Sequence, residues 1–413
     1  MQTKASVFED RFLSILDIPE TAYYVHLALS KRRFIACSYR MSESARILNS
    51  INTPEITMHT FLRPFLTQSL FLFGSLAATV PSIAAEAGWR HVELVTTSPQ
   101  PAIPVALYYP TATPAKTVSM GPFQVNVAIQ APPAQQFKAL IVLSHGLWGT
   151  ELGHSSLAEG LARAGYLVAA LRHPGDNWQD HTLTEKTPEQ YFSKRPLALT
   201  QVIDGILAIP EWASRLPRDD KGYLVGALGH SAGGFSVLAL AGGRADLLRT
   251  RDHCKTNATQ DPIFCKVAFS QEAVAAPSDL NPPRSAPQGL ESSASAAPTS
   301  DPRVRAVVAM APNGVPFTPE SLGAIKIPVL IYEAELDRFL VPKFHAQRIK
   351  KDLPSAELRR ISNAWHFAFM DTPTSSIPSP DGDVRADPQG FDRQALLKRL
   401  GEEIPAFFDK ALN

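Results

Sequence analysis

The stretch Gly229-His230-Ser231-Ala232-Gly233-Gly234 constrains the fold more than any other part of the chain. A continuous apolar run, residues 224–228, leads into it, and a helical run, residues 235–240, leads out. A strand that becomes a helix over so few residues needs a tight bend. In a G-x-S-x-G bend the serine takes a strained backbone, and the glycines remove Cβ atoms where strand and helix approach each other. The start of the helix leaves N–H groups free to face a developing anion. This context marks Ser231 as a nucleophile. The competing reading is a Gly-rich turn with an incidental serine.

The rest of the chain fits around that bend. Residues 139–143, 167–171, 304–310 and 327–332 are further unbroken apolar runs, the pattern of strands buried on both faces. Residues 91–95, 104–109 and 123–129 read as additional strands. Helical spacing recurs at 156–164, 196–209, 231–242, 342–351 and 391–412. Strands alternating with helices predict an α/β architecture, a mainly parallel central sheet with helices on both faces. Residues 243–302 interrupt the alternation, and 273–300 are rich in Ala, Ser and Pro, which predicts an inserted flexible segment.

A serine nucleophile needs an anion-stabilising site, a base and an acid. The first is expected in the loop after an earlier strand, where Ser144-His145-Gly146-Leu147-Trp148-Gly149 follows residues 139–143. The backbone N–H of Leu147, with that of Ala232, is the expected pair of oxyanion donors. His145 is read as ordering this loop, not as the base. Nucleophile elbows of this kind carry their partners in the order serine, acid, histidine. The acid is expected just past residues 327–332, where Asp337 is the first choice and Glu333 and Glu335 are rivals. His366 follows the last expected strand, 357–361, and is the expected base, with Asp337 holding its tautomer. His345 falls in an expected helix and is read as packed or solvated there. Asp176 in His173-Pro174-Gly175-Asp176-Asn177 is read as part of a polar turn, with the rim of the site as the alternative. Trp148 and Trp178 are read either as lining an acyl pocket or as routine core residues.

These segments together resemble the α/β-hydrolase superfamily. More narrowly they resemble the secreted bacterial predicted dienelactone hydrolase group, which is similar to plasma-type platelet-activating-factor acetylhydrolases. The resemblance rests on residues 143–149, 173–177, 195–204, 229–234, 335–342 and 363–369, and covers about residues 90–413. It implies an α/β-hydrolase fold and a Ser231–Asp337–His366 serine hydrolase with oxyanion donors at Leu147 and Ala232. Dienelactone hydrolases carry Cys where this chain has Ser231, so the family name does not give the substrate. The acetylhydrolases place the acid after the preceding strand, where residues 309–313 here hold no carboxylate.

The expected activity is carboxylic-ester hydrolysis through an acyl-enzyme on small or short-chain esters, with no cofactor. The rivals are a lipase or phospholipase, and a catalytically inactive binding protein on the same fold. Lys and Arg number 40 against 39 Asp and Glu, for a net charge of +1, so no charge excess points to nucleic acid. Residues 58–87 have a short basic-polar start, an apolar stretch and an Ala-x-Ala ending, the order of a cleaved signal peptide. Residues 1–57 are then expected to be an extension ahead of the true start at Met58. The mature domain is 88–413, exported to the periplasm or medium, with no membrane span in the mature chain. Cleavage would remove Cys37 and leave Cys254 and Cys265, close in sequence, which points to one disulfide; two free thiols are the alternative.

Overall fold

Residues 140–144, 167–171 and 225–230 are apolar enough to be buried on both faces, and they form the middle of a ten-stranded sheet. A computed structural model describes residues 85–95, 101–185, 190–273 and 299–412, and the side chains of these except 269–273. The strands are β1 (Glu86–Leu94), β2 (Ile103–Thr111), β3 (Lys116–Met120), β4 (Phe123–Ile129), β5 (Leu140–Ser144) and β6 (Leu167–Leu171). They continue with a small hairpin, β7 (Arg218–Asp219) and β8 (Gly222–Tyr223), then β9 (Val225–His230). β10 (Val304–Met310), β11 (Val329–Ala334) and β12 (Glu357–Ile361) follow, and a second hairpin, β13 (Pro378–Ser379) and β14 (Gly382–Asp383), lies outside the main sheet.

The main sheet runs β12-β11-β10-β9-β5-β6-β2-β1-β4-β3. From β12 to β6 every pairing is parallel. β2 then joins β6 antiparallel, and β3 and β4 form a hairpin at the far edge. In β4, Phe123, Val125 and Val127 point inward while Gln124 and Asn126 are exposed, the alternation of a strand with one wet face.

Helices cover both faces. Tyr191–Leu207 and Ala232–Leu240 bury Leu199, Ile203, Phe235 and Leu238 against one side of the sheet. Ser155–Arg163 and Arg393–Leu412 bury Leu157, Leu161, Leu400 and Phe408 against the other. The chain leaves β5 toward β6 through one face and reaches β9, on the other side of β5, through the opposite face. That reversal makes the carboxyl ends of β5 and β9 a topological switch point, the place where a sheet of this type binds its ligands. Register pairs Ser144 with Gly229, so the loops after β5 and β9 emerge side by side.

Two expectations change in detail. The helix expected at 342–351 starts only at Ala346, because residues 342–345 form a turn. Within the insertion, Leu247–Asn257 and Pro262–Ala273 are helices; the segment 274–298, expected to be flexible, lies outside the described residues. The expected leader also lies outside them save for its last residues, of which Glu86 and Ala87 open β1. Among the described residues no helix is long and apolar enough to cross a membrane.

The buried histidines make stability pH-dependent. His154, at the start of Ser155–Arg163, is buried, its two ring nitrogens have no hydrogen-bond partner among the described residues, and burial lowers its pKa from 6.5 to about 4. The unfolded chain binds that proton more readily than the folded one. The resulting stability is complete above pH 6.5 and is lost as pH falls through about 4. The loss amounts to up to about 3 kcal/mol. Asp371 has the opposite sign: burial raises it to about 6, so its contribution is complete at low pH and lost as pH rises through that value. The informative quantity is therefore a difference. His154→Leu should lose less unfolding free energy than the wild type on acidification, measured by urea denaturation at pH 7 and pH 4; parallel losses would contradict the assignment.

Candidate active site

Ser231 sits between β9 and the helix Ala232–Leu240 with φ 57° and ψ −117°, a region unfavourable for a side chain with a Cβ. The surrounding backbone holds it there. Its N–H donates to Met310 O at 2.9 Å, and its carbonyl accepts from Phe235 N–H at 3.1 Å and Asn313 N–H at 3.2 Å. The two flanking glycines are sterically required. A Cβ on Gly229 would lie 2.2 Å from Gly233 O, and one on Gly233 would lie 2.0 Å from Ser144 O.

His366 follows β12 across the sheet and reaches back, its Nε2 2.9 Å from Ser231 Oγ. Its Nδ1 is 2.7 Å from Asp337 Oδ2. Asp337 Oδ1 accepts from the N–H groups of Phe339, at 2.9 Å, and Leu340, at 2.7 Å, so the carboxylate is fixed by its own loop. With Nδ1–H donated to that carboxylate, Nε2 is left to accept the serine proton. The Phe339 ring stacks on the His366 imidazole at 4.9 Å, and His230 Nε2–H donates to the His366 carbonyl at 3.0 Å. The rival carboxylates are engaged elsewhere. Glu333 pairs with Arg360 at 3.1 Å, and Glu335 accepts from Asn363 N–H at 2.9 Å. The Arg338 guanidinium of the acid loop lies 3.9 Å from the ring centre of Trp365, just before the histidine, so this contact ties the two loops together; Arg338 also pairs with Asp381 at 2.8 Å.

The loop after β5 lies against the nucleophile: a Cβ on Gly146 would be 3.3 Å from Ser231 Cβ. Among the described residues neither Leu147 N–H nor Ala232 N–H donates to a protein acceptor. Leu147 and Ala232 pack together with Leu183, Tyr191 and Phe192, an apolar wall beside the free N–H groups.

A buried network shapes that loop, and the sequence reading missed it. Asp176 and Arg195 form an ion pair with both side chains 0 % exposed. Asp176 accepts from Trp148 N–H at 2.9 Å, and Arg195 donates to the His145 carbonyl and to Ser236 Oγ at 3.1 Å. His145 Nε2 accepts from His173 N–H at 3.1 Å, so its proton sits on Nδ1, which donates to Gly146 O at 2.6 Å. Burial first, then the Arg195 charge, lowers His145 to about 4, so it is neutral near pH 7 and bridges Gly146 O and His173 N–H. Trp148, with φ 53°, is exposed and stacked on His181 at 4.6 Å, and Trp178 is exposed too.

Cys254 and Cys265 form a disulfide across the two insertion helices. Beside it the fully buried Asp261 accepts at 2.9 Å from both His253 and His345, the latter packed at the start of the helix Ala346–Asp352. This bridge joins the insertion to the acid loop. His253 and the two cysteine sulfurs lie within 4.8 Å of one another, but both sulfurs are committed to the disulfide.

Residues 141–375 match the family model described as alpha/beta hydrolase family. No curated protein matches the chain. Among solved structures the chain is similar to a ferulic acid esterase from Streptomyces cinnamoneus, at 20 % identity over 81 % of this chain and 92 % of that one, with a TM-score of 0.50. It is also similar to a dienelactone hydrolase from Anabaena variabilis, at 13 % identity over 79 % of this chain and 100 % of that one, with a TM-score of 0.42.

Proposed function

Because the chain belongs to the alpha/beta hydrolase family, we propose that it is a serine carboxylic-ester hydrolase working through Ser231, His366 and Asp337. The observation that carries this reading is the unbroken relay from Ser231 Oγ to His366 Nε2, at 2.9 Å, and from His366 Nδ1 to Asp337, at 2.7 Å.

His366 takes the Ser231 proton as Oγ adds to the ester carbonyl, and Asp337 stabilises the imidazolium that forms. The carbonyl oxygen becomes an oxyanion between the N–H groups of Leu147 and Ala232, a role supported by their having no acceptor among the described residues. Collapse expels the alcohol, which leaves with the proton from His366 Nε2. Water then enters; His366 removes its proton while the hydroxide oxygen attacks the acyl carbon, and Ser231 Oγ departs reprotonated. The oxyanion donors are pre-set, because Asp176, Arg195 and His145 hold the loop before substrate arrives.

The apolar wall of Leu147, Leu183, Tyr191, Phe192 and Ala232 suits a small apolar acyl group, and Ser231 is only 6 % exposed. A panel of p-nitrophenyl esters tests this. Turnover per enzyme should be highest on acetate or butyrate and fall by about tenfold or more on dodecanoate, the size of effect a change in pocket contacts gives. A preference for the long chain would favour the lipase reading instead. No turnover on any ester, with the chain folded, would favour the inactive binding protein.

A further inference from the structure

Away from the serine relay, a cavity of about 560 Å³ opens where the insertion helix Leu247–Asn257 meets the helix Ala346–Asp352. Its charged lining is Arg249, Lys343, Arg348 and Lys351 against a single carboxylate, Asp352. A second cavity of about 320 Å³ shares Arg249 and Arg348. It adds Asp252, which lies 3.3 Å from Lys255 and 3.7 Å from Arg251.

These cations are not equally occupied. Arg348 donates to the carbonyls of Gly314, Val315 and Phe317, and faces Asp352 at 3.2 Å. Lys343 donates to Gln260 Oε1 at 2.5 Å. Arg249 is different. Among the described residues its guanidinium has no hydrogen bond and no ion pair, and its Nε is buried without an acceptor. A half-buried guanidinium beside a second one is electrostatically costly unless an anion lies between them. Burial, and next the Arg249 charge, hold the Arg348 guanidinium below its ordinary range, so the two side chains feel each other. A guanidinium has the planar fork that grips carboxylate and phosphate groups through paired N–H donors.

We propose that this cavity binds a small molecule carrying a multivalent oxyanion, phosphate-type or polycarboxylate, with Arg249 as its principal contact and Lys343 and Lys351 flanking it. The site shares no residue with the Ser231 relay, and its occupancy does not depend on ester turnover.

Titration calorimetry of the full chain with pyrophosphate and, separately, with citrate tests it, sodium chloride at matched ionic strength serving as the screening control. At least one oxyanion should bind saturably at one site. Pyrophosphate alone would identify a phosphate-type ligand, citrate alone a polycarboxylate, and binding of both a general oxyanion site. Arg249→Ala should weaken the affinity about tenfold or more, the scale of a lost charge-assisted pair. Because the Arg249 guanidinium has no hydrogen bond or ion pair among the described residues, its truncation should leave the chain folded, and an unchanged thermal midpoint checks this. Lys351→Ala, at an exposed position, should weaken binding in the same direction and serves as the second variant. Absence of saturable binding by either probe, or equal affinity in wild type and both variants, would overturn the proposal.

Discussion

Ser231→Ala is expected to lower ester turnover by about 10⁴- to 10⁶-fold, since the acyl-enzyme route disappears and only the oxyanion site and substrate binding remain. The fold should not change. The residue keeps its φ of 57°, because Met310 O, Phe235 N–H and Asn313 N–H grip its backbone and not its hydroxyl. The lost hydroxyl contacts only His366 among the described residues, and His366 retains Asp337 and the stacked Phe339. Asp337→Asn should cost on the order of 10⁴-fold for a different reason: an amide cannot fix the tautomer that leaves Nε2 able to accept. Rates of purified variants on one ester, with circular dichroism to verify folding, would check both. Ser231→Ala turnover within about tenfold of wild type would remove the serine from the chemistry.

Asp176→Ala should combine a stability defect with an activity defect. The carboxylate and its Arg195 partner are both fully buried, and deleting one leaves a guanidinium charge in the interior with only neutral acceptors. Breaking a buried pair in this way costs about 3–5 kcal/mol. The same deletion frees Trp148 N–H, which Asp176 holds at 2.9 Å, and with it the strained loop that presents Leu147 N–H. Misplacement of an oxyanion donor by about 1 Å costs around 10²-fold in rate. A double variant separates the two effects. Asp176→Leu with Arg195→Met removes both charges and should regain most of the stability, while the rate stays low because Trp148 N–H still lacks its acceptor. Urea unfolding and single-ester kinetics on the three proteins measure this. Recovery of full activity in the double variant would show that the pair does not shape the oxyanion loop.

The legible part of this molecule is what local chemistry writes along the chain. The unbroken apolar runs of β5, β6, β9, β10 and β11 announce strands buried on both faces. Gly229 and Gly233 announce the bend, because no other residue leaves room for Gly233 O and Ser144 O. The geometry puts His366 within hydrogen-bond distance of both Ser231 and Asp337, while Glu333 and Glu335 are engaged by Arg360 and Asn363. What could not be read are partnerships between distant elements. Asp176 belongs to a Pro-Gly segment read as a polar turn or the rim of the site; only the fold shows it buried against Arg195 on the helix Tyr191–Leu207. Asp261 sits between two unremarkable helices, and nothing local reveals that His253 and His345 both converge on it. Arg249 and the helix Ala346–Asp352 are far apart in sequence, and only the fold sets them on one cavity.

The most direct measurement of the central claim is covalent labelling of the wild-type chain with a fluorophosphonate, followed by mass spectrometry of the digested protein. One adduct is expected, on the peptide containing Ser231, absent from Ser231→Ala and strongly slowed in a His366→Ala variant. A folded wild-type chain that takes up no label, or that carries it on another residue, would contradict it.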